Sequence, residues 1–199
     1  MSRLTRLYQG LSTPEIIVTL TIVSLIGTLL VGFFVRGLRI SKQEWVYLEL
    51  EQSCHFLLQE IERTMTRSGV AGISYILSPG ISGVAINEIE DITSEGNLAW
   101  EGTQSYFFWQ QQSREVRKQK IVSSDSPQTN PRHFTSGELL GFTDNPSSVI
   151  GKGVTKFRVA NQQLDGSGRL VVLSIELERT LSNEKTRRSR LEKLITILN

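Results

Sequence analysis

A run of twenty residues without a charge, Ile16 to Val35, constrains this chain more than any other feature. At about 1.5 Å per residue it spans a hydrocarbon core of roughly 30 Å. A secretory signal core is shorter, about 7–15 residues, and ends at a small-x-small cleavage site. No Ala-x-Ala-like site follows this run, so it is expected to be a membrane helix. Directly before it stands Gly10-Leu11-Ser12-Thr13-Pro14-Glu15. Ser12 and Glu15 have capping-box spacing, and Pro14 falls in the first turn, where its missing N–H costs nothing. Capping explains how that stretch folds. It does not explain a carboxylate against lipid, which insertion scales set at about 2.5–3.5 kcal/mol at mid-depth. A cation would offset that cost, and the nearest conceivable one is an α-amino group made by cleavage after Gly10.

The flanks leave orientation open. Arg3 and Arg6 precede the run, while Arg36, Arg39 and Lys42 follow it, so the positive-inside rule gives no clean answer. The short leader favours an N-terminus on the inside. Ser24, Thr28 and Gly32 recur every four residues, with Thr21 beside them. Small residues on one stripe let a second helix approach closely in lipid, where packing drives association. Chance among membrane-tolerated residues gives the same pattern.

From Gly37 to Ser68 there is no proline. Val46, Leu50, Cys54, Leu57, Leu58, Ile61 and Met65 fall in steps of three and four and mark one helical face. Glu44, Glu49, Gln52, Gln59, Glu62, Arg63 and Arg67 take the other, and Gly69 is the expected stop. Continuous with the membrane segment, residues 14–68 would form a helix of about 80 Å. Cys54 is expected to be a buried small hydrophobe, and His55 lies at the edge of the face with no ligand role.

Beyond Gly69 the texture changes to short apolar runs broken by Gly, Pro, Ser and Asn. Strands are expected at Ile73–Leu77, Gly83–Ile89, Ser105–Gln110, Glu115–Val122, Val154–Ala160, Arg169–Glu178 and Leu191–Leu198. Gln111–Arg114 would be a hairpin connection, and Asp165-Gly166-Ser167-Gly168 a turn. Ser123–Arg132 and the charged Ser182–Arg190 are expected to be loops. Four successive aromatics, Tyr106 to Trp109, place two on each face of a strand, one pair in the core and the other under a loop. Lys118, Lys120, Arg187, Arg188 and Arg190 are expected on solvated faces. The fold class is α+β: a long N-terminal helix packed on a meandering antiparallel sheet.

The basic leader, the Gly, a hydrophobic residue, three further residues, the Glu and the apolar helix resemble the class III signal of type IV pilins and type II secretion pseudopilins. Gln59–Gly69 and the order of the last third resemble, more loosely, the J and W group of minor pseudopilins. The resemblance implies a pilin-like fold with a leader at 1–10, a transmembrane half at 11–35, an amphipathic half at 36–68 and a β-rich domain at 69–199. It implies cleavage between Gly10 and Leu11 by a membrane prepilin peptidase and N-methylation of Leu11. Glu15, fifth in the mature chain, would pair with the N-terminal amine of a neighbouring subunit. Leu11 and Pro14 depart from the family pattern, which prefers Phe and an aliphatic residue there.

Other function classes find little support. Of the 199 residues, 22 are basic and 20 acidic; Arg3 and Arg6 account for the whole formal charge of +2. A neutral body argues against nucleic acid as a partner. One cysteine and two distant histidines, His55 and His133, make a Cys- or His-based metal site improbable. Asp144-Asn145 and Asp165 lack an Asp-x-Asp-x-Asp series, so no calcium site is expected. No phosphate loop, nucleophile elbow or zinc-protease helix occurs, and neither enzyme activity nor a cofactor is expected. The expected protein is a structural subunit in the inner membrane with its domain on the periplasmic side. Its expected partners are the prepilin peptidase, other pilins or pseudopilins, the assembly platform and lipid. The alternative is a single-pass membrane-anchored binding or sensor domain that keeps residues 1–10 and uses Glu15 only as a cap.

Overall fold

The computed structural model describes residues 12–122, 128–164, 168–180 and 186–198. The chain divides into two units, Met1–Trp45 and Val46–Asn199, and one helix, α1 (Thr13–Met65), contributes to both.

In the first unit every side chain from Ser12 to Lys42 is exposed. No proline interrupts α1 after Pro14, and an apolar segment leaves backbone groups little choice but to bond one another, as a helix does. This helix is long and apolar enough to cross a membrane, with a mean hydropathy of 2.5 over its most apolar window. A possible single-pass anchor is therefore present; Leu29 and Phe33, 66% and 81% exposed, show how little of it is covered.

The second unit is α+β. The expected face of α1 is the one that is buried: Leu50, Cys54, Leu57, Leu58, Ile61 and Met65 all lie in the core. The helix runs out through three-residue bonds, Arg67 N–H to Thr64 O and Ser68 N–H to Met65 O. A short 3₁₀ turn at Val70–Gly72 follows. Gly69 does not take a left-handed conformation (φ −87°). The need for small residues here is steric, since a Cβ on Gly72 would stand 2.4 Å from the Trp100 ring and 2.7 Å from Asn87 O.

Two antiparallel meanders follow. The first contains β1 (Ile73–Ser78), β2 (Ile81–Ile92), β3 (Leu98–Gln110), β4 (Glu115–Val122) and β5 (Ser148–Lys152), ordered as in the chain. The second contains β6 (Val154–Leu164), β7 (Gly168–Thr180) and β8 (Thr186–Leu198). Only Gly153 separates them. Its φ of +74° turns the chain from one sheet to the other, and its carbonyl accepts from Glu178 N–H at 2.9 Å. The main core joins α1 to both sheets through Val84, Ile86 and Phe107 on one side and Phe157, Leu173, Ile175 and Ile195 on the other. Acidic side chains of α1 tie down the strands: Glu60 to Lys118 at 2.5 Å, Glu62 to Lys193 at 2.5 Å and Glu49 to Arg179 at 2.5 Å.

The four aromatics divide as their alternation predicts. Phe107 and Trp109 face the main core, and Trp109 Nε1–H donates to Val154 O at 2.9 Å. Tyr106 and Phe108 stack at 4.9 Å on the opposite face, beneath Phe134 and Leu139. That cover includes a helix not expected from the sequence, α2 (Ser136–Phe142), started by a capping box between Thr135 and Glu138.

Several expectations need correction. β5 was not expected, and β2, β3 and β6 are longer than their predicted cores. The stretch Ser182–Arg190 is not all loop: β8 begins at Thr186, because Arg188 and Arg190 stand opposite Glu178 and Glu176 on β7. Opposite charges across a strand pair favour pairing. Lys118 is not on a solvated face; it lies 5.2 Å from the centroid of the Phe107 ring and pairs with Glu60. The turn at 165–167 lies outside the described residues, as does the first half of the Ser123–Arg132 loop.

Candidate functional site at the head of the apolar helix

Gly10 and Leu11 lie outside the described residues, so the described part of the site begins at Ser12. Ile16 N–H donates to Ser12 O at 3.1 Å, which closes the first turn of α1. Both the N–H and the hydroxyl of Ser12 donate to Glu15 Oε2, at 2.8 and 2.9 Å. This is one arm of the expected capping box; the return bond, from Glu15 N–H to the Ser12 hydroxyl, is not among those formed. At Thr135 both arms are present, with Glu138 N–H donating to Thr135 Oγ1 at 3.3 Å. Glu15 is exposed, and no cation among the described residues pairs with it. A carboxylate offers about four acceptor positions, so one oxygen remains open to a donor from outside these residues.

The polar side chains below Glu15 are mostly self-satisfied. Thr19 donates to Glu15 O at 2.7 Å, Thr21 to Ile17 O at 2.8 Å and Thr28 to Ser24 O at 2.9 Å. Such back-bonding removes the penalty of a bare hydroxyl in lipid. Thr21, Ser24 and Thr28 line one shallow hollow of the helix surface, and Thr28 and Gly32 line the next. A Cβ on Gly32 would meet nothing within 4 Å. The stripe is therefore open to a neighbour along its length.

Elsewhere the candidates resolve into structure. Cys54 is fully buried, and desolvation pushes its thiol up to about 11, against a weaker lowering by a hydrogen bond from the Ser189 side chain. His55 and His133 are exposed. No group of three His, Cys, Asp or Glu side chains among the described residues is placed to hold a metal ion. The sheet-domain hollow around Gly80 and Gln111 is lined by no charged side chain, and the one beside Phe56 and Lys152 contains the Glu49–Arg179 ion pair that ties α1 to β7. Sequence reasoning missed the ion-pair ties from α1 to the strands, because charges 58 to 131 residues apart give no local signal. Comparison with protein-family models, with curated proteins and with solved structures finds no match to this chain.

Proposed function

We propose that this chain is a minor pilin or pseudopilin, a non-enzymatic structural subunit of a type IV pilus-like or type II secretion filament. One observation carries the reading. A single helix bears Glu15 at the head of an otherwise uncharged apolar run, and its last four turns supply one side of the core of an antiparallel sheet domain. That design suits a subunit that waits in a bilayer and is later moved into a filament with its domain already folded. In this reading a prepilin peptidase cuts between Gly10 and Leu11, and the new Leu11 amine is methylated. Glu15 keeps Ser12 on one oxygen and offers the other to a neighbour's amine, while Ser24, Thr28 and Gly32 pack against other helices. The subunit resides in the inner membrane with its domain outside the cytoplasm, and its partners are other pilins or pseudopilins and the assembly platform. A filament for polysaccharide secretion fits equally well. Glu15 argues against the terminal tip position, which has no subunit above it to supply an amine.

The test is N-terminal sequencing and intact mass of the protein taken from membranes that contain an active prepilin peptidase. The expected product starts at Leu11, and Gly10→Ala slows its appearance. An uncut chain beside an active peptidase refutes the proposal. It would favour the second reading, an anchored binding or sensor domain, whose support is that Ser12 already holds Glu15 in a cap.

A further inference from the structure

Immediately after the apolar run, α1 carries Arg36, Arg39 and Lys42, all exposed. No acid occurs between Glu15 and Glu44, and Glu44 is not three or four residues from any of the three cations. Among the described residues none of the three forms an ion pair, whereas Lys118, Arg179 and Lys193 of the second unit each pair with an acid of α1. Steps of three place the cations on neighbouring turns of one broad face, where like charges repel unless an anion lies between them. Helical side chains lean toward the N-terminus, so these three lean back toward the apolar run. Arg36 lines the same surface hollow as Gly32 and Phe33, and its apolar stem is long enough for the guanidinium to reach the headgroups from the edge of the hydrocarbon. With Ile16–Val35 filling the hydrocarbon, Arg36 and Arg39 fall within the headgroup layer of about 5–7.5 Å, and Lys42, about 10 Å beyond Val35, stands at its outer edge with a side chain long enough to reach back into it.

We infer that Arg36, Arg39 and Lys42 form a cationic collar that binds the phosphate headgroups of anionic lipids on the domain side of the bilayer. The inference rests on the reading that Ile16–Val35 crosses a membrane. It narrows the lipid partner to anionic headgroups, and moving the subunit out of the bilayer then requires breaking headgroup contacts as well as emptying the apolar slot. It also sets the depth of the helix, with Arg36 and Arg39 inside the headgroup layer. A basic side chain at an anionic surface strengthens association roughly fivefold, and three give about a hundredfold at low salt.

The experiment uses the full chain in vesicles of phosphatidylcholine, with spin-labelled phosphatidylglycerol or phosphatidylcholine as the probe. Electron paramagnetic resonance then gives the relative association of the two lipids with the protein. The expected result is a preference for phosphatidylglycerol of about fivefold or more, reduced toward unity in 1 M sodium chloride. The R36Q/R39Q/K42Q variant should lose it, while K120Q/K152Q/K156Q, the same charge change at exposed domain positions, should keep it. No preference in the parent chain, or equal loss in both variants, overturns the collar while leaving the membrane span standing. A chain released from vesicles by an alkaline carbonate wash overturns the span itself, and the collar with it.

Discussion

Glu15 is shared between two demands, and its two oxygens show how. Oε2 takes both donors of Ser12, which fixes the first turn, and Oε1 has no partner among the described residues. A carboxylate held only by neutral donors keeps its full charge, so the cap organises Glu15 without offsetting the cost of placing it at a bilayer. Glu15→Ala should therefore insert at least as well as the parent and co-assemble poorly with partner subunits in co-purification from membranes. Ser12→Ala should fray the first turn and leave co-assembly largely intact. Unchanged co-assembly of Glu15→Ala would remove the amine-pairing role. A different residue-scale tension sits under α2. The Tyr106 hydroxyl is buried and has no hydrogen-bond partner among the described residues, and desolvation raises its pKa well above the ordinary tyrosine range. An unsatisfied buried hydroxyl costs about 1–3 kcal/mol, and Phe fills the same space without it. Tyr106→Phe is expected to raise domain stability by about 1 kcal/mol in urea unfolding. A loss of that size would show that the hydroxyl has a partner.

At the scale of elements, legibility followed the range of the forces involved. β4 appears over Glu115–Val122 as its alternation predicts, and the buried stripe of α1 is the one its three-and-four spacing marks. Both signals are local. α2 also had one, since Thr135-x-x-Glu138 is a capping-box spacing like that of Ser12 and Glu15, but only Leu139, Leu140 and Phe142 follow it as an apolar pattern. β5 had almost none. Its five residues include Gly151, whose missing side chain matters because Leu57 of α1 occupies that space, 2.5 Å from where a Cβ would stand. β8 was cut short by its charges, although a long edge strand is where charges belong. Lys193 adds to that protection from the inner side, tied to Glu62. The sharpest element boundary is Gly153, and its left-handed backbone is costly for any other residue, about 1–2 kcal/mol. Gly153→Ala should lower stability by that amount, more if the Cβ, 3.0 Å from Glu178 O, forces the sheets apart. Guanidinium or thermal unfolding of the purified domain measures it, and an unchanged midpoint would mean that the corner can relax.

For the whole molecule, the division at Trp45 and Val46 separates two kinds of stability. Every buried hydrophobic side chain among the described residues lies at Leu50 or later, and both core clusters are contained in Val46–Asn199. The described residues up to Trp45 therefore add no buried hydrophobic side chain to either core cluster. A fragment starting at Val46 should fold on its own, with a cooperative melt and dispersed amide resonances. The boundary the sequence suggested, Gly69, cuts elsewhere. Starting there removes Leu50, Cys54, Leu57, Leu58, Ile61 and Met65 together. At about 1.5–3 kcal/mol for each large buried side chain, that loss is on the order of 10 kcal/mol, as much as a domain of this size has in total. It also leaves Lys118 and Lys193 without Glu60 and Glu62. The fragment from Gly69 is expected to aggregate or to show no cooperative transition. Two equally stable fragments would mean that the sheets fold without α1, and that its last four turns are attached to the domain rather than part of its core.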